Sequence, residues 1–164
     1  MKNVRLLIAD DDAHFLRYVG DLLSDDFCIV GTVSDGTALI AAAVAFDPHI
    51  IITDIAMPTM TRLDAIRQLE ALMPDLKIIV LTGHEESECA AAAIAAGASA
   101  FLIKKQAPDL RGTIRAIIRD LLTTHPNRFT GKAFTYGNDH ASIEHEVLSL
   151  GGAGRMNSTN SHYL

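Results

Sequence analysis

Very little in this chain could serve as a staple, an anchor or a nucleic-acid-binding surface. It has two cysteines, Cys28 and Cys89, far apart and with no partner spacing. That excludes a disulfide framework and predicts reduced thiols in a cytoplasmic protein. The longest unbroken apolar runs, Ala38–Phe46 and Cys89–Ala96, fall far short of the roughly 20 residues that cross a bilayer. The first residues carry one lysine and an Arg-interrupted apolar segment closed by three aspartates, which is not the layout of a signal peptide. Positive charge is also scarce. Fourteen Lys and Arg against twenty Asp and Glu leave a net charge of −6, which argues against nonspecific binding to nucleic acid or an anionic membrane. At 164 residues the chain can bury one good core but not two comfortable ones.

What is present is an alternation of short β-branched runs with helical patterns. Val4–Ala9 reads as a first strand, followed by a first helix over Ala13–Ser24 with Phe15, Leu16, Val19, Leu22 and Leu23 on one stripe. Phe27–Thr32 is a second strand, and Thr37–Phe46 an Ala-rich second helix stopped by Asp47-Pro48. His49–Asp54 is a third strand, apolar on both faces as a central parallel strand must be. Leu63–Leu72 is a third helix, Lys77–Thr82 a fourth strand, and about Ser87–Ala96 a fourth helix with Gly97 as its left-handed cap. Ala100–Ile103 is a fifth strand and about Pro108–Thr123 a fifth helix. Right-handed crossovers then give a flavodoxin-like, doubly wound α/β fold with a five-stranded parallel sheet in the order 2-1-3-4-5 and helices on both faces. The composition shifts after about His125. We expect a domain over 1–124 and a polar, flexible tail over 125–164, with a possible short helix at 142–150.

Every strand but the second ends in a group suited to phosphate chemistry: Asp10 and Asp11 on the first, Asp54 on the third, Thr82 on the fourth and Lys104 on the fifth. The expected strand order brings them to one basin at the carboxyl rim of the sheet, where such folds place ligands. Taken singly each is weak, since an aspartate pair is more often a helix start and a threonine a turn residue. Three carboxylates together should repel one another and titrate with raised, coupled pKa values. An all-oxygen set suits Mg²⁺. A carboxylate such as Asp54 can then act as nucleophile and form an acyl phosphate, with Lys104 and Thr82 meeting other phosphoryl oxygens.

The segments LLIADDD at Leu6–Asp12, IITDIAMP over 51–58, IIVLTG at Ile78–Gly83 and AGASAFLIKK at Ala96–Lys105 resemble the receiver domains of bacterial two-component response regulators, in style those of the LuxR/NarL type, over about residues 1–123. The resemblance implies a signalling switch rather than an enzyme. Asp54 would be the phosphoacceptor. Mg²⁺ would be held by Asp10, Asp11, Asp54 and the backbone carbonyl of Ala56, and Phe101 would be an aromatic switch residue acting with Thr82. It implies a histidine kinase or histidine phosphotransfer protein as phosphoryl donor, and output or homodimerisation through the fourth helix, fifth strand and fifth helix. Arg62 stands where the family's loop usually has glycine, and Lys105 where many relatives have Asp or Pro.

Several features lie beyond that pattern. His84 stands two residues past Thr82 and is a candidate for controlling water access to the acyl phosphate. Arg111, Arg115 and Arg119 share one face of the fifth helix at i, i+4, i+8, either a solvated edge or a partner surface beside the fourth helix. Ile143–Leu150 faintly resembles the opening helix of a LuxR-type helix-turn-helix, but no recognition helix follows, so DNA binding by this chain is not expected. His140, His145 and His162 lack metal-ligand spacing. Two other readings compete. One is a haloacid-dehalogenase-like phosphatase with Asp10 as nucleophile, which leaves Asp54 unexplained. The other is a LuxR-type transcription regulator truncated in its DNA-binding domain.

Overall fold

The computed structural model describes residues 1–55, 63–83, 87–106, 109–124, 132–136 and 143–146. The elements run β1 (Arg5–Ala9), α1 (Ala13–Ser24), β2 (Cys28–Val33), α2 (Gly36–Phe46), β3 (Ile50–Thr53), α3 (Asp64–Leu72), β4 (Lys77–Thr82), α4 (Ser87–Ala95), β5 (Ala100–Ile103), a single 3-10 turn at Lys104–Gln106, α5 (Leu110–Thr124), β6 (Lys132–Tyr136) and β7 (Ile143–Glu146). The sheet order is β2-β1-β3-β4-β5-β6-β7. The first five strands are parallel and follow the order expected from the sequence.

Side chains alternate across each strand, and the core divides accordingly. Leu6, Ile8, Ile50, Ile52, Ile79, Leu81, Ala100 and Leu102 pack with α1 and α5. Leu7, Ala9, Ile51, Ile78, Val80, Phe101 and Ile103 pack with α2, α3 and α4. Both faces of β1 and β3 are thus covered, which is why those segments read as unbroken apolar runs.

Two differences concern the C-terminal segment. The sheet has two strands beyond the five expected: β6 runs parallel to β5, with Phe101 opposite Thr135, and β7 returns antiparallel to β6. The helix expected at 142–150 is not what Ile143–Glu146 forms; those residues are β7. The row of unpaired backbone groups on β5 offers Lys132–Tyr136 a template. The run Phe134-Thr135-Tyr136 is rich in strand-favouring residues. Among the described residues, no helix is long and apolar enough to cross a membrane.

Two arginines of the α5 stripe, Arg111 and Arg115, meet Asp26 in the turn that follows α1. Arg111 Nε donates to Asp26 Oδ2 at 2.9 Å, and Arg115 Nε lies 3.6 Å from the same oxygen. The Arg111 hydrogen bond holds the Asp26 carboxyl below the usual carboxylate range. Arg119 lies 3.9 Å from Asp120.

Gly97 closes α4 as expected. Its φ is +117°, its N–H donates to Ile94 O at 3.0 Å, and Ala98 N–H donates to Ala93 O at 3.0 Å, the double bond pattern of a Schellman cap. A Cβ there would lie 3.0 Å from Glu70 Cγ. We expect Gly97→Ala to destabilise the fold by about 1 kcal/mol or more. Urea denaturation checks this, with an unchanged slope and a lower midpoint as the expected result.

Candidate functional site

The strand parity that divides the core also sorts the polar groups at the carboxyl rim. Asp10 continues the Leu6–Ile8 side of β1, Asp54 the Ile50–Ile52 side of β3, and Lys104 the Ala100–Leu102 side of β5. All three fall on the α1/α5 side. Thr82 and Phe101 share parity with Val80 and Ile103, on the α4 side.

The structure brings Asp10, Asp54 and Lys104 into direct contact. Lys104 Nζ lies 2.5 Å from Asp10 Oδ2 and 2.8 Å from Asp54 Oδ2. Asp10 and Asp54 are only 2% and 8% exposed, so each charge needs a partner. One ammonium serves both. Asp11, which is exposed, adds a third carboxylate, and oxygens of Asp10, Asp11 and Asp54 all lie within 4.8 Å of one another. Three carboxylates against one ammonium leave a formal charge of −2 in an all-oxygen donor set, which fits a hard divalent cation such as Mg²⁺.

Burial pushes the Asp10 carboxyl above the ordinary range, more than the Lys104 hydrogen bond and the Asp12 amide pull it down, and the Asp54 charge adds a smaller upward push. The raised value expected of clustered carboxylates is thus found at Asp10, with dehydration its larger cause and the Asp54 charge its smaller one. For Lys104, burial favours the neutral amine, but the hydrogen bonds to Asp10 and Asp54 outweigh it and raise its pKa.

Backbone bonds fix the carboxylates. Asp10 N–H donates to Val33 O at 3.1 Å and Asp54 N–H to Ala9 O at 3.0 Å. Asp12 N–H donates to Asp10 Oδ1 at 2.9 Å. Asp12 in turn caps α1, its Oδ1 accepting from His14 N at 2.9 Å and Phe15 N at 3.2 Å. Thr82, wholly buried at the end of β4, stands two residues beyond Val80, the register partner of Thr53. Phe101 is buried within β5, opposite Val80. Ala56, Arg62 and His84 lie outside the described residues, as do His140 and His162.

One contact has no counterpart in the sequence reading. The Lys104 ammonium sits 3.8 Å from the centroid of the Phe15 ring. Phe15 falls on the apolar stripe of α1 and reads as an ordinary core residue. Only the fold shows that its ring meets a cation.

A doubly wound sheet with buried carboxylates and a lysine converging on its carboxyl rim defines a receiver-type pocket. The model of the response regulator receiver domain family matches residues 6–115, and the chain belongs to that family: it is a response regulator receiver domain of the two-component systems. It is 32% identical over 120 residues, covering 71% of this chain and 55% of the relative, to the uncharacterized transcriptional regulatory protein YxjL of Bacillus subtilis. It is 30% identical over 105 residues to the chemotaxis protein CheY of Thermotoga maritima, covering 63% of this chain and 88% of that one. The isolated receiver domain of RcsB from Salmonella enterica serovar Typhimurium, solved with the phosphomimetic BeF3⁻, superposes with a TM-score of 0.67 at 27% identity, covering 79% of this chain and 94% of that one. The chain spans about half the length of several curated regulators it matches. The family is a signalling switch, and membership displaces the phosphatase reading.

The raised pKa of Asp10 carries a sign. Between the ordinary carboxylate value and the raised one, the folded state binds more protons than the unfolded state, so stability falls as pH rises through that window. We expect Asp10→Asn, without divalent cation, to raise the neutral-pH Tm by about 2–4 °C, with the gain shrinking as pH falls towards the ordinary carboxylate range. Calorimetry from neutral to acidic pH checks both points.

Proposed function

We propose that Asp54 is the phosphoacceptor of a two-component phosphorelay, loaded from a histidine kinase or a histidine phosphotransfer protein. The observation that carries this is the convergence of Asp10, Asp11, Asp54 and Lys104 at one end of the sheet, with a net charge deficit that a divalent cation fills. An Asp54 carboxylate oxygen forms the new bond to phosphorus as the bond from phosphorus to the donor's imidazole nitrogen breaks, and that nitrogen keeps the electron pair. Asp10, Asp11 and Asp54, with the backbone carbonyl of Ala56, would hold Mg²⁺, which when bound would supply charge neutralisation for the phosphoryl oxygens. Lys104 already hydrogen-bonds Asp54, so its ammonium is in place to meet a further oxygen, and Thr82 donates its hydroxyl to another.

Thr82 and Phe101 lie on the α4 side of the sheet, a placement that supports their role in carrying the state of Asp54 towards α4, β5 and α5, the face proposed for partner binding or homodimerisation. Because β6 lies along β5, a partner on that face meets β6 or displaces it. A structure of the relative RcsB is described as two dimers bound to two parallel DNAs. For this chain we propose a cytoplasmic phosphorylation switch over residues 1–124, with no DNA binding of its own.

Intact mass after incubation with Mg²⁺ and acetyl phosphate tests the reading. We expect one added phosphoryl group on the wild type and none on Asp54→Asn. An adduct that persists in Asp54→Asn, or a wild type that neither takes up phosphoryl nor binds beryllofluoride, would overturn it.

A further inference from the structure

We propose that Phe15 is a positioning residue for Lys104, its ring face holding the ammonium in the direction from which it reaches Asp10 and Asp54. The ammonium carries three N–H donors. Two are accounted for by Asp10 Oδ2 at 2.5 Å and Asp54 Oδ2 at 2.8 Å. The Phe15 ring, 3.8 Å away at its centroid, occupies a further side, well within the reach over which an aromatic face attracts a cation. Lys104 is only 19% exposed, so the attraction acts where water competes little.

The ring is itself held in place. Phe15 is half-buried against the core that α1 and α5 share; its backbone N–H donates to Asp12 Oδ1, and the backbone N–H of Asp12 donates to Asp10 Oδ1. The contacts close a cycle: Asp10 to Asp12, Asp12 to Phe15, Phe15 to Lys104, and Lys104 back to Asp10. This cycle joins the end of β1, the first turn of α1 and the end of β5. A lysine has four rotatable carbon–carbon bonds and loses much rotamer freedom when ordered. The carboxylates alone fix where its tip lies. The ring limits the paths by which the stem arrives there.

A purely structural Phe15 would need only an apolar side chain of similar size, so ring and volume can be separated. Phe15→Leu keeps apolar bulk without a π face, and Phe15→Tyr keeps the face. Two readouts are measured on each: the proton shifts of the Lys104 ε-methylene by NMR in the free protein, and affinity for beryllofluoride with Mg²⁺. We expect the wild type and Phe15→Tyr to show the upfield shift of protons over a ring, and Phe15→Leu to lose it. We also expect about five- to thirty-fold weaker beryllofluoride binding in Phe15→Leu, with Phe15→Tyr retaining most of the affinity. A Phe15→Leu protein with unchanged Lys104 shifts and unchanged affinity would overturn the proposal. If that variant does not fold, Phe15→Met carries the same test. The affinity readout rests on the receiver reading and the shift readout does not. Failure of the wild type to bind beryllofluoride would therefore count against the function, and Phe15 would stand or fall on the Lys104 shifts alone.

Discussion

A single ammonium held between two buried carboxylates is the constraint on which the rest of this site depends. Asp10 and Asp54 lie almost wholly out of water, and neither charge could stay there without a partner. Lys104 meets both, yet it is 94 residues from Asp10 and 50 from Asp54 along the chain. The carboxyl ends of β1, β3 and β5 must therefore lie close together, which the order of β1, β3, β4 and β5 allows. One ammonium does not balance the carboxylates around it. Burial still pushes Asp10 towards protonation, and Asp11 brings a further negative charge to the rim.

Strand parity gives the site its internal division. Asp10, Asp54 and Lys104 share the layer of α1 and α5, while Thr82 and Phe101 share the layer of α4. The chemistry of charge is thus gathered on one side of the sheet, and a hydroxyl and an aromatic ring on the other. The division needs no special loop. It follows from the twofold alternation of side chains in strands of four to six residues.

The sheet and the acidic cluster were legible because both are written locally. A β-branched run closed by a carboxylate, as in Ile50–Asp54, states a buried strand and a rim group together. Gly97 announced its own positive φ. The features that were not legible depend on residues far apart in the chain. Arg111 finds Asp26 across 85 residues, and no periodicity within α5 could say which helix its charged face would meet. The contact of Phe15 with Lys104 is hidden because aromatic residues on an apolar stripe look alike whether they meet methyl groups or a cation. Taken alone, the Ile143–Leu150 pattern suits a helix; Ile143–Glu146 becomes β7 because β6, itself paired to β5, offers it a strand edge. The loop that carries Ala56 and Arg62 lies outside the described residues.

The parallel sheet also gives the molecule a chemically quiet end. Cys28 opens β2 in register with Arg5 at the start of β1, on the rim opposite Asp10, where Arg5 donates to the Asp47 carbonyl and its backbone N–H to His49 Nδ1. Cys28 is an exposed thiol. With the partly buried Cys89 replaced, a fluorophore or surface tether attached at Cys28 would sit a full strand length from the acidic pocket, giving a handle for single-molecule or immobilised work that leaves the pocket's charges untouched.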